Sequence, residues 1–210
     1  AKVIAQKIGG DPVEIVLAVI IVFALKTRSE HPQVGLLKEI VGNTGTMPAS
    51  RVIWILQQAC ASLGEAHLQG LVHRDIKPGN LVLCARGGAE DILKVVDFGL
   101  VKDIRQTDAS LTQLGNLCGT PETMAPEVLS GAEVTASADL YALSVVGYYL
   151  LTGVPAFEAR TIPEFVAAHL HDEPRALVDR DGAVPGDLAA VIHAGLSKSP
   201  EGRPATAAEY

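Results

Sequence analysis

The segment HRDIKPGN (residues 73–80) combines three side chains that could act together on a phosphate. Asp75 supplies a carboxylate that can accept a proton, Lys77 supplies a cation, and Asn80 supplies a neutral oxygen ligand. A Pro-Gly pair stands between the lysine and the asparagine, and it interrupts any helix or strand. We therefore expect a shaped loop whose groups suit a reaction at a phosphate.

A second carboxylate follows at the end of a predicted strand. The run LKVV (93–96) is typical of a strand, and it leads into Asp97, a phenylalanine and a glycine. The glycine allows the chain to turn sharply at that point. The alternative for Asp75 and Asp97 is that both are turn-forming aspartates with no chemical role.

These segments resemble the catalytic core of the protein kinase family. H-R-D-x-x-x-x-N and D-F-G stand at the family's spacing, and A-P-E follows at 125–127, after G-T-P at 119–121. At background residue usage, so many fixed positions in order are on the order of a one-in-a-billion coincidence. The resemblance is good over residues 48–209 and patchy over 1–41. It is strongest to bacterial serine/threonine kinases of the eukaryotic-like type.

The resemblance implies a role for each polar group of the two loops. By the family's pattern, Asp75 accepts the proton of the acceptor hydroxyl, and Lys77 neutralises the transferring phosphate. Asn80 and Asp97 hold magnesium, a hard ion that takes oxygen ligands. ATP and Mg²⁺ are therefore the expected cofactors. The loop sequence D-I-K-P is the serine/threonine version, so we expect a protein substrate with a serine or threonine hydroxyl as acceptor.

The resemblance also implies a regulatory switch in residues 102–119. Arg74, just before the catalytic aspartate, is the family's hook for a phosphorylated activation segment, because a guanidinium matches phosphate oxygens bidentately. Thr112 is the first candidate for that phosphate, and Ser110 or Thr107 is the next one. We also assign a regulatory role to Thr120, at the end of this segment.

Three further residues are expected to be structural. Asp139 lies in an otherwise apolar run, and a buried carboxylate without partners is costly, so it must be hydrogen-bonded. The resemblance implies that it braces the backbone of the catalytic loop; the alternative is a charge effect at a helix N-terminus. By the same resemblance, Arg203 pairs with Glu127 of A-P-E.

The N-terminal residues are expected to cover the nucleotide. VFALK (22–26) resembles the family's third strand, V-A-I-K, which makes Lys26 the phosphate-pairing lysine. The alternative is a lysine that ends a buried strand and extends to water. The resemblance implies ATP contacts from four further positions: Gly9, Gly10, Ile15 and Ala24.

This part of the chain is shorter than the family's pattern. Gly9 and Gly10 stand where a G-x-G-x-x-G loop is expected, with Val13 in place of the third glycine. Residues 27–30 are too few for the helix that carries the lysine's glutamate partner, since three turns need about eleven residues. These departures favour a second interpretation, a pseudokinase-type binding or scaffolding module. A small-molecule phosphotransferase is a third one, weakened by G-T-P and A-P-E, which are typical of kinases with protein substrates.

The expected fold is α+β, a protein-kinase-like two-lobed fold with a shortened strand lobe at 1–44 and a complete, mainly helical catalytic lobe at 45–210. Residues 1–41 are predicted to form strands, with the fourth at 31–37. Ser50 is the predicted N-cap of a helix that ends at Gly70. Its apolar stripe has helical spacing and consists of Val52, Ile55, Leu56, Ala59, Leu63 and Ala66.

The remaining elements follow from the same patterns. We expect strands at 81–84 and 93–96, a central buried helix at 136–151, and helices that begin near 161 and 185. His169 and His171 point to different faces of a helix, so we expect a surface helix there and no metal site.

Composition limits the partners and the compartment. The net charge of −7 offers no basic surface for nucleic acid or an anionic membrane. The apolar runs at 15–25 and 140–151 are shorter than the roughly 20 residues that span a bilayer. Three distant cysteines are expected to be reduced in the cytoplasm. The resemblance allows for a dimer that phosphorylates in trans. Because the chain lacks an initial methionine and ends in a predicted helix start, we expect a longer parent protein.

Overall fold

The computed structural model of the chain describes residues 34–86, 89–97, 102–103, 120–177 and 184–210. These residues form a mainly helical body with two small antiparallel sheets, one ordered β1-β3-β4 and the other β2-β5. The strands are β1 (Gly35–Leu36), β2 (Leu71–Val72), β3 (Leu81–Arg86), β4 (Ala89–Val95) and β5 (Lys102–Asp103). The helices are α1 (Leu37–Thr44), α2 (Ala49–Leu68), α3 (Pro126–Ser130), α4 (Ala136–Thr152), α5 (Ile162–His171) and α6 (Gly186–Gly195). Short 3-10 turns lie at Pro78–Asn80, Pro121–Thr123 and Pro200–Gly202.

Helix α1 corrects the prediction that strands continue to residue 41. Of the predicted fourth strand, Gly35–Leu36 is extended and pairs with β3, and the chain turns helical at once. Leu37, Ile40 and Val41 have the i, i+3, i+4 spacing of a helix face and are buried. They share one core with the helical body. The rest of the predicted strand region, residues 1–33, lies outside the described residues.

Helix α2 carries the predicted apolar stripe. Its buried residues are Val52, Ile55, Leu56, Ala59, Leu63 and Ala66. Trp54 lies on the other face and is 52% exposed. The predicted cap was wrong, because the helix begins at Ala49 after Pro48, and Ser50 already lies in its first turn. Proline ahead of a helix fixes φ without needing a side-chain cap. Gly70 follows the helix with a φ of 76°, the left-handed conformation that favours glycine.

The β3–β4 hairpin is fixed to α2 by polar contacts. Its register pairs Leu81 with Val95 and Cys84 with Ile92, so both predicted strands are confirmed. The Arg51 guanidinium donates to both oxygens of the Asp91 carboxylate, at 2.9 and 2.7 Å. This pairing helps hold the hairpin, and with it the end of the catalytic loop, against the long helix.

Helix α4 is the centre of the body. Thirteen of its seventeen residues are buried, so it has no solvent face of the kind that an amphipathic surface helix has. A Cβ atom on Gly147 would lie 3.2 Å from Leu56 and 3.3 Å from Ile192, which shows how closely α2 and α6 approach it. Among the described residues, no helix is both long and apolar enough to cross a membrane.

A buried ion pair ties α3 to the C-terminal end of the chain. Arg203 Nη1 and Nη2 donate to the two Glu127 carboxylate oxygens at 2.6 and 2.8 Å. The remaining guanidinium protons reach the carbonyls of Ser137, Ser197 and Lys198. The Arg203 side chain is fully buried, so its charge depends on these partners.

Replacing Glu127 with alanine leaves that guanidinium buried without its counter-ion. We expect Glu127→Ala to lower the free energy of unfolding by about 3–5 kcal/mol, the usual effect of breaking one side of a buried pair. Urea unfolding measures the change. Glu133→Ala, at an exposed position after the same helix, is the matched control and should leave the stability almost unchanged. A Glu127→Ala protein whose free energy of unfolding stays within about 0.5 kcal/mol of the wild type would contradict the prediction.

Candidate active site

The loop after β2 brings the predicted chemical groups into direct contact. The Asp75 carboxylate is 6% exposed, and its Oδ2 accepts from Lys77 Nζ at 2.6 Å and from Asn80 Nδ2 at 2.9 Å. Asn80 Nδ2 also donates to the Asp75 carbonyl at 2.8 Å. A carboxylate, an ammonium and an amide therefore form one hydrogen-bonded cluster.

Thr120 completes this cluster from 45 residues away. Its hydroxyl accepts from Lys77 Nζ at 2.8 Å and donates to Asp75 Oδ1 at 3.3 Å. Sequence reasoning gave Thr120 a regulatory role and missed this contact. The G-T-P motif marked the segment as notable, but a motif does not show which distant side chain its threonine touches.

Asn80 and Asp97 lie on neighbouring chain segments. The Val96 amide donates to the Asn80 carbonyl at 2.9 Å, which places Asp97 directly after the joined residue. Because Asn80 Nδ2 is engaged by Asp75, its side-chain oxygen is the atom that could ligate a cation. An amide oxygen and an exposed carboxylate, here that of Asp97, are ligand types that suit Mg²⁺, which keeps several waters. In the described ranges no group of three or more His, Cys, Asp or Glu side chains could hold a metal.

Asp139, at the start of α4, holds the catalytic loop by its backbone. Its carboxylate is 1% exposed and accepts from the His73 amide at 2.8 Å and the Arg74 amide at 2.9 Å. It also contacts His67 Nε2 at 2.9 Å, a partner that sequence reasoning did not find. These contacts offset the cost of burying the carboxylate, and they hold Arg74 at a φ of 66°, which is unusual for a non-glycine residue.

His73 acts within the loop as a hydrogen-bonding group. Its Nδ1 accepts from the Asp75 amide at 3.3 Å, and its Nε2 donates to the Val96 carbonyl at 3.1 Å. Burial lowers the pKa of His73, against the opposing effect of the Asp139 charge. The neutral imidazole thus links the catalytic loop to the strand end before Asp97.

Arg74, the predicted hook for a phosphate, is partly buried beside the catalytic cluster. Its Nε is buried and has no hydrogen-bond partner among the described residues. It lines a small cavity with Asp75, Thr120 and Asp139. The other predicted site residues lie outside the described ranges: Gly9, Gly10, Ile15, Ala24, Lys26, Ser110 and Thr112.

His169 contradicts the prediction of a surface position. It is fully buried on α5, whereas His171 is exposed. Its Nδ1 lies 2.8 Å from the Tyr141 hydroxyl, and its Nε2 lies 3.2 Å from the Glu122 carbonyl. The two histidines do point to different faces, but the sequence does not show that one face packs against α4 and the 3-10 turn Pro121–Thr123. Burial, with the nearby Lys198 charge, lowers the pKa of His169 to about 4.

This burial makes stability depend on pH. The His169 pKa of about 4 in the folded chain lies below the unfolded value of about 6.5, so the unfolded state binds the proton more tightly. The contribution is complete above pH 6.5 and is lost as the pH falls toward 4. We expect His169 to account for a loss of about 2 kcal/mol between pH 7.5 and 5.

Urea unfolding at the two pH values tests this expectation. His169→Gln should show a smaller loss on acidification than the wild type, and His171→Gln, the exposed control on the same helix, should match the wild type. His73 and His193 also have pKa values lowered mainly by burial, so part of the pH dependence will persist. Equal acid losses in wild type and His169→Gln would contradict the prediction.

The fold and the loop geometry define the class: small antiparallel sheets on a mainly helical body, with Asn80 of the catalytic loop bonded through its carbonyl to the Val96 amide, next to Asp97. The model for the protein kinase domain matches residues 22–209. The chain belongs to the protein kinase family, and the predicted α+β kinase-like fold is confirmed.

Bacterial serine/threonine kinases are among its relatives. The chain is 36% identical over 178 residues to serine/threonine-protein kinase pkn3 of Myxococcus xanthus, covering 83% of this chain and 32% of that protein. It is 35% identical over 173 residues to PknB of Mycobacterium tuberculosis, with coverage of 82% and 27%. PknD of the same species is 39% identical over 168 residues, with coverage of 80% and 24%. The matched region spans a quarter to a third of the length of these relatives.

Proposed function

We propose that the chain is the catalytic module of an ATP-dependent serine/threonine protein kinase. It would transfer the γ-phosphoryl group to a serine or threonine hydroxyl of a protein substrate. The observation that carries the proposal is the cluster of Asp75, Lys77, Asn80 and Thr120. Hydrogen bonds join its carboxylate, ammonium, amide and hydroxyl, which are groups that suit phosphoryl transfer.

Each residue of this cluster has a definite task in the proposed reaction. The Asp75 carboxylate orients the acceptor hydroxyl and takes its proton, while the Lys77 ammonium places positive charge where negative charge develops. The Thr120 hydroxyl bridges the two and so holds the carboxylate and the ammonium next to each other. When bound, Mg-ATP supplies the phosphoryl group and the metal charge that neutralises it. The Asn80 amide oxygen and Asp97 would hold the metal.

Arg74 and the segment before Thr120 form the proposed control element. The Arg74 backbone amide donates to Asp139, so the backbone that carries the guanidinium is held in place. A phosphate on Thr112, or on Ser110 behind it, would offer this guanidinium a bidentate partner. We propose a cytoplasmic location, no nucleic-acid partner, and trans-phosphorylation within a dimer as the route to that phosphate.

The second candidate is a pseudokinase-type binding or scaffolding module. Four residues separate Lys26 from His31, and among the described residues α1 begins directly after the two-residue strand β1. The four residues 27–30 are too few for the helix that carries the lysine's glutamate partner in the family's pattern. Since positioning is most of what a phosphoryl-transfer enzyme supplies, the shortened lobe favours low turnover.

Asp75→Asn tests the assignment of the base. The amide keeps the size of the side chain but cannot take the hydroxyl proton, so we expect turnover on a peptide substrate to fall by about 10²–10⁴-fold. The melting temperature should change little. Asp187→Asn, an exposed substitution on α6, is the matched control and should keep wild-type turnover. If Asp75→Asn retains more than about half of the wild-type rate, Asp75 is not the base.

Nucleotide binding separates the two candidates. We expect the 210-residue chain to bind Mg-ATP weakly, with a dissociation constant near or above the millimolar range. A thermal-shift titration measures this affinity, because stabilisation grows with ligand concentration over the dissociation constant. Asn80→Ala should reduce the part of the thermal shift that depends on the metal. The shift measured with ATP and a chelator gives the metal-free baseline.

The outcomes of this titration differ clearly. Micromolar affinity, together with turnover that Lys26→Met abolishes, would contradict weak binding and indicate a fully competent kinase. Weak affinity with slow, Asp75-dependent turnover supports the proposal as stated. A shift that is absent at every nucleotide concentration supports the pseudokinase candidate.

A further inference from the structure

A buried hydrogen-bond chain approaches the catalytic cluster from behind. It starts at the Tyr141 hydroxyl in α4, which lies 2.8 Å from His169 Nδ1 in α5. It continues from His169 Nε2 to the Glu122 carbonyl at 3.2 Å. Glu122 lies in the 3-10 turn Pro121–Thr123, directly after Thr120. This series of hydrogen bonds thus ends two residues from Thr120, whose hydroxyl bridges Asp75 and Lys77.

The turn itself is short and locally bonded. The Thr123 amide donates to the Thr120 carbonyl at 3.1 Å, and the Met124 amide donates to the Pro121 carbonyl at 3.3 Å. These bonds shape the turn but do not fix its place relative to the helices. The His169 bond comes from 47 residues away in sequence, so it can fix that place.

The kinds of atom in these two hydrogen bonds determine which atom donates in each. A backbone carbonyl can only accept, so the neutral imidazole carries its proton on Nε2 and donates it to the Glu122 carbonyl. Nδ1 is then unprotonated and accepts from the Tyr141 hydroxyl. The Phe157 ring, 4.6 Å from the imidazole centroid, packs against the ring and limits its rotation.

We propose that His169 is a positioning residue for Thr120. Its neutral imidazole, protonated on Nε2, fixes the Glu122 carbonyl, and the turn then holds the Thr120 hydroxyl between Asp75 and Lys77. The catalytic consequence rests on the proposed kinase function. The structural part rests on the contacts of the described residues and can be tested without turnover.

Protonation of His169 would oppose this arrangement. A proton on Nδ1 would face the Tyr141 hydroxyl, which would have to rotate and accept. The new charge would also lie near Lys198, whose Nζ donates to the Ala168 and His169 carbonyls at 3.0 and 2.8 Å. The charged groups around His169 and its contacts are Lys198 and Arg203 on the positive side, and Glu127, Asp172 and Glu173 on the negative side.

Amide hydrogen exchange measured by NMR on the full 210-residue chain tests the positioning role. The reporters are the amides of Thr123 and Met124, which are bonded within the turn, and the amide of Leu143 in the buried α4 gives the reference for global opening. His169→Leu removes the donor at similar volume. His169→Gln keeps an N–H donor near the position of imidazole Nε2 and cannot titrate near neutral pH.

The expected result is local. His169→Leu should speed exchange of the two turn amides by tenfold or more, with less than a threefold change at Leu143. His169→Gln should stay within threefold of the wild type. After correction for intrinsic rates, turn exchange in the wild type should rise between pH 7 and 5, and in His169→Gln it should not. Tyr141→Phe removes the donor to Nδ1, so the proton no longer has to be on Nε2, and it should speed turn exchange about fivefold, which preserves the test if His169→Leu does not fold.

Three results would overturn the positioning role. The turn amides could be unchanged in His169→Leu and Tyr141→Phe, they could be as fast in His169→Gln as in His169→Leu, or they could change only in step with Leu143. Turnover gives a separate reading: His169→Leu should lower kcat for a peptide about tenfold without changing the KM for ATP. Local exchange effects in a chain without turnover would support the positioning and reject the kinase function. Normal turnover with unchanged exchange would do the reverse.

Discussion

The conformation of the catalytic loop depends on one buried carboxylate, that of Asp139. It receives the backbone amides of His73 and Arg74 and contacts His67, so its charge is well compensated in a fully buried place. In return it holds the loop in a backbone conformation that Arg74 would not adopt freely, with a φ of 66°. Because Asp139 is part of α4, which is buried over most of its length, the loop is anchored to the central buried helix of the body.

The same helix also supports the turn that follows Thr120. Tyr141, which follows Leu140 on α4, bonds to His169. The Tyr141 ring lies 4.8 Å from the Arg203 guanidinium, which pairs with Glu127. The catalytic loop and the Thr120 turn are therefore positioned from one common support. This arrangement suits an enzyme in which the distance between a carboxylate and an ammonium matters, because sites built on rigid elements hold their geometry better than free loops.

Sequence patterns predicted the elements well where a short-range signal was strong. The stripe of α2 reappears as its buried face, and the helix predicted to begin near residue 161 does so, with the Thr161 hydroxyl accepting from the Glu164 amide at the start of α5. The prediction failed for residues 37–41, a short segment with no motif beside it to indicate a helix. These residues form a helix because its apolar face is buried against the body. It also failed for Ser50, since the N-cap is Pro48 and the helix begins two residues earlier than that prediction implies.

By itself, the sequence determined the family of the chain and the residue types of the site. Motifs such as H-R-D-x-x-x-x-N and D-F-G specify particular side chains at fixed spacing within a few neighbouring positions. The tertiary structure alone decided which distant groups meet them: Thr120 on Asp75 and Lys77, His67 on Asp139, and His169 behind the turn. The physical reason is range. Periodicity shows which side chains share a face of a helix, but which face is covered depends on packing between elements far apart in the chain.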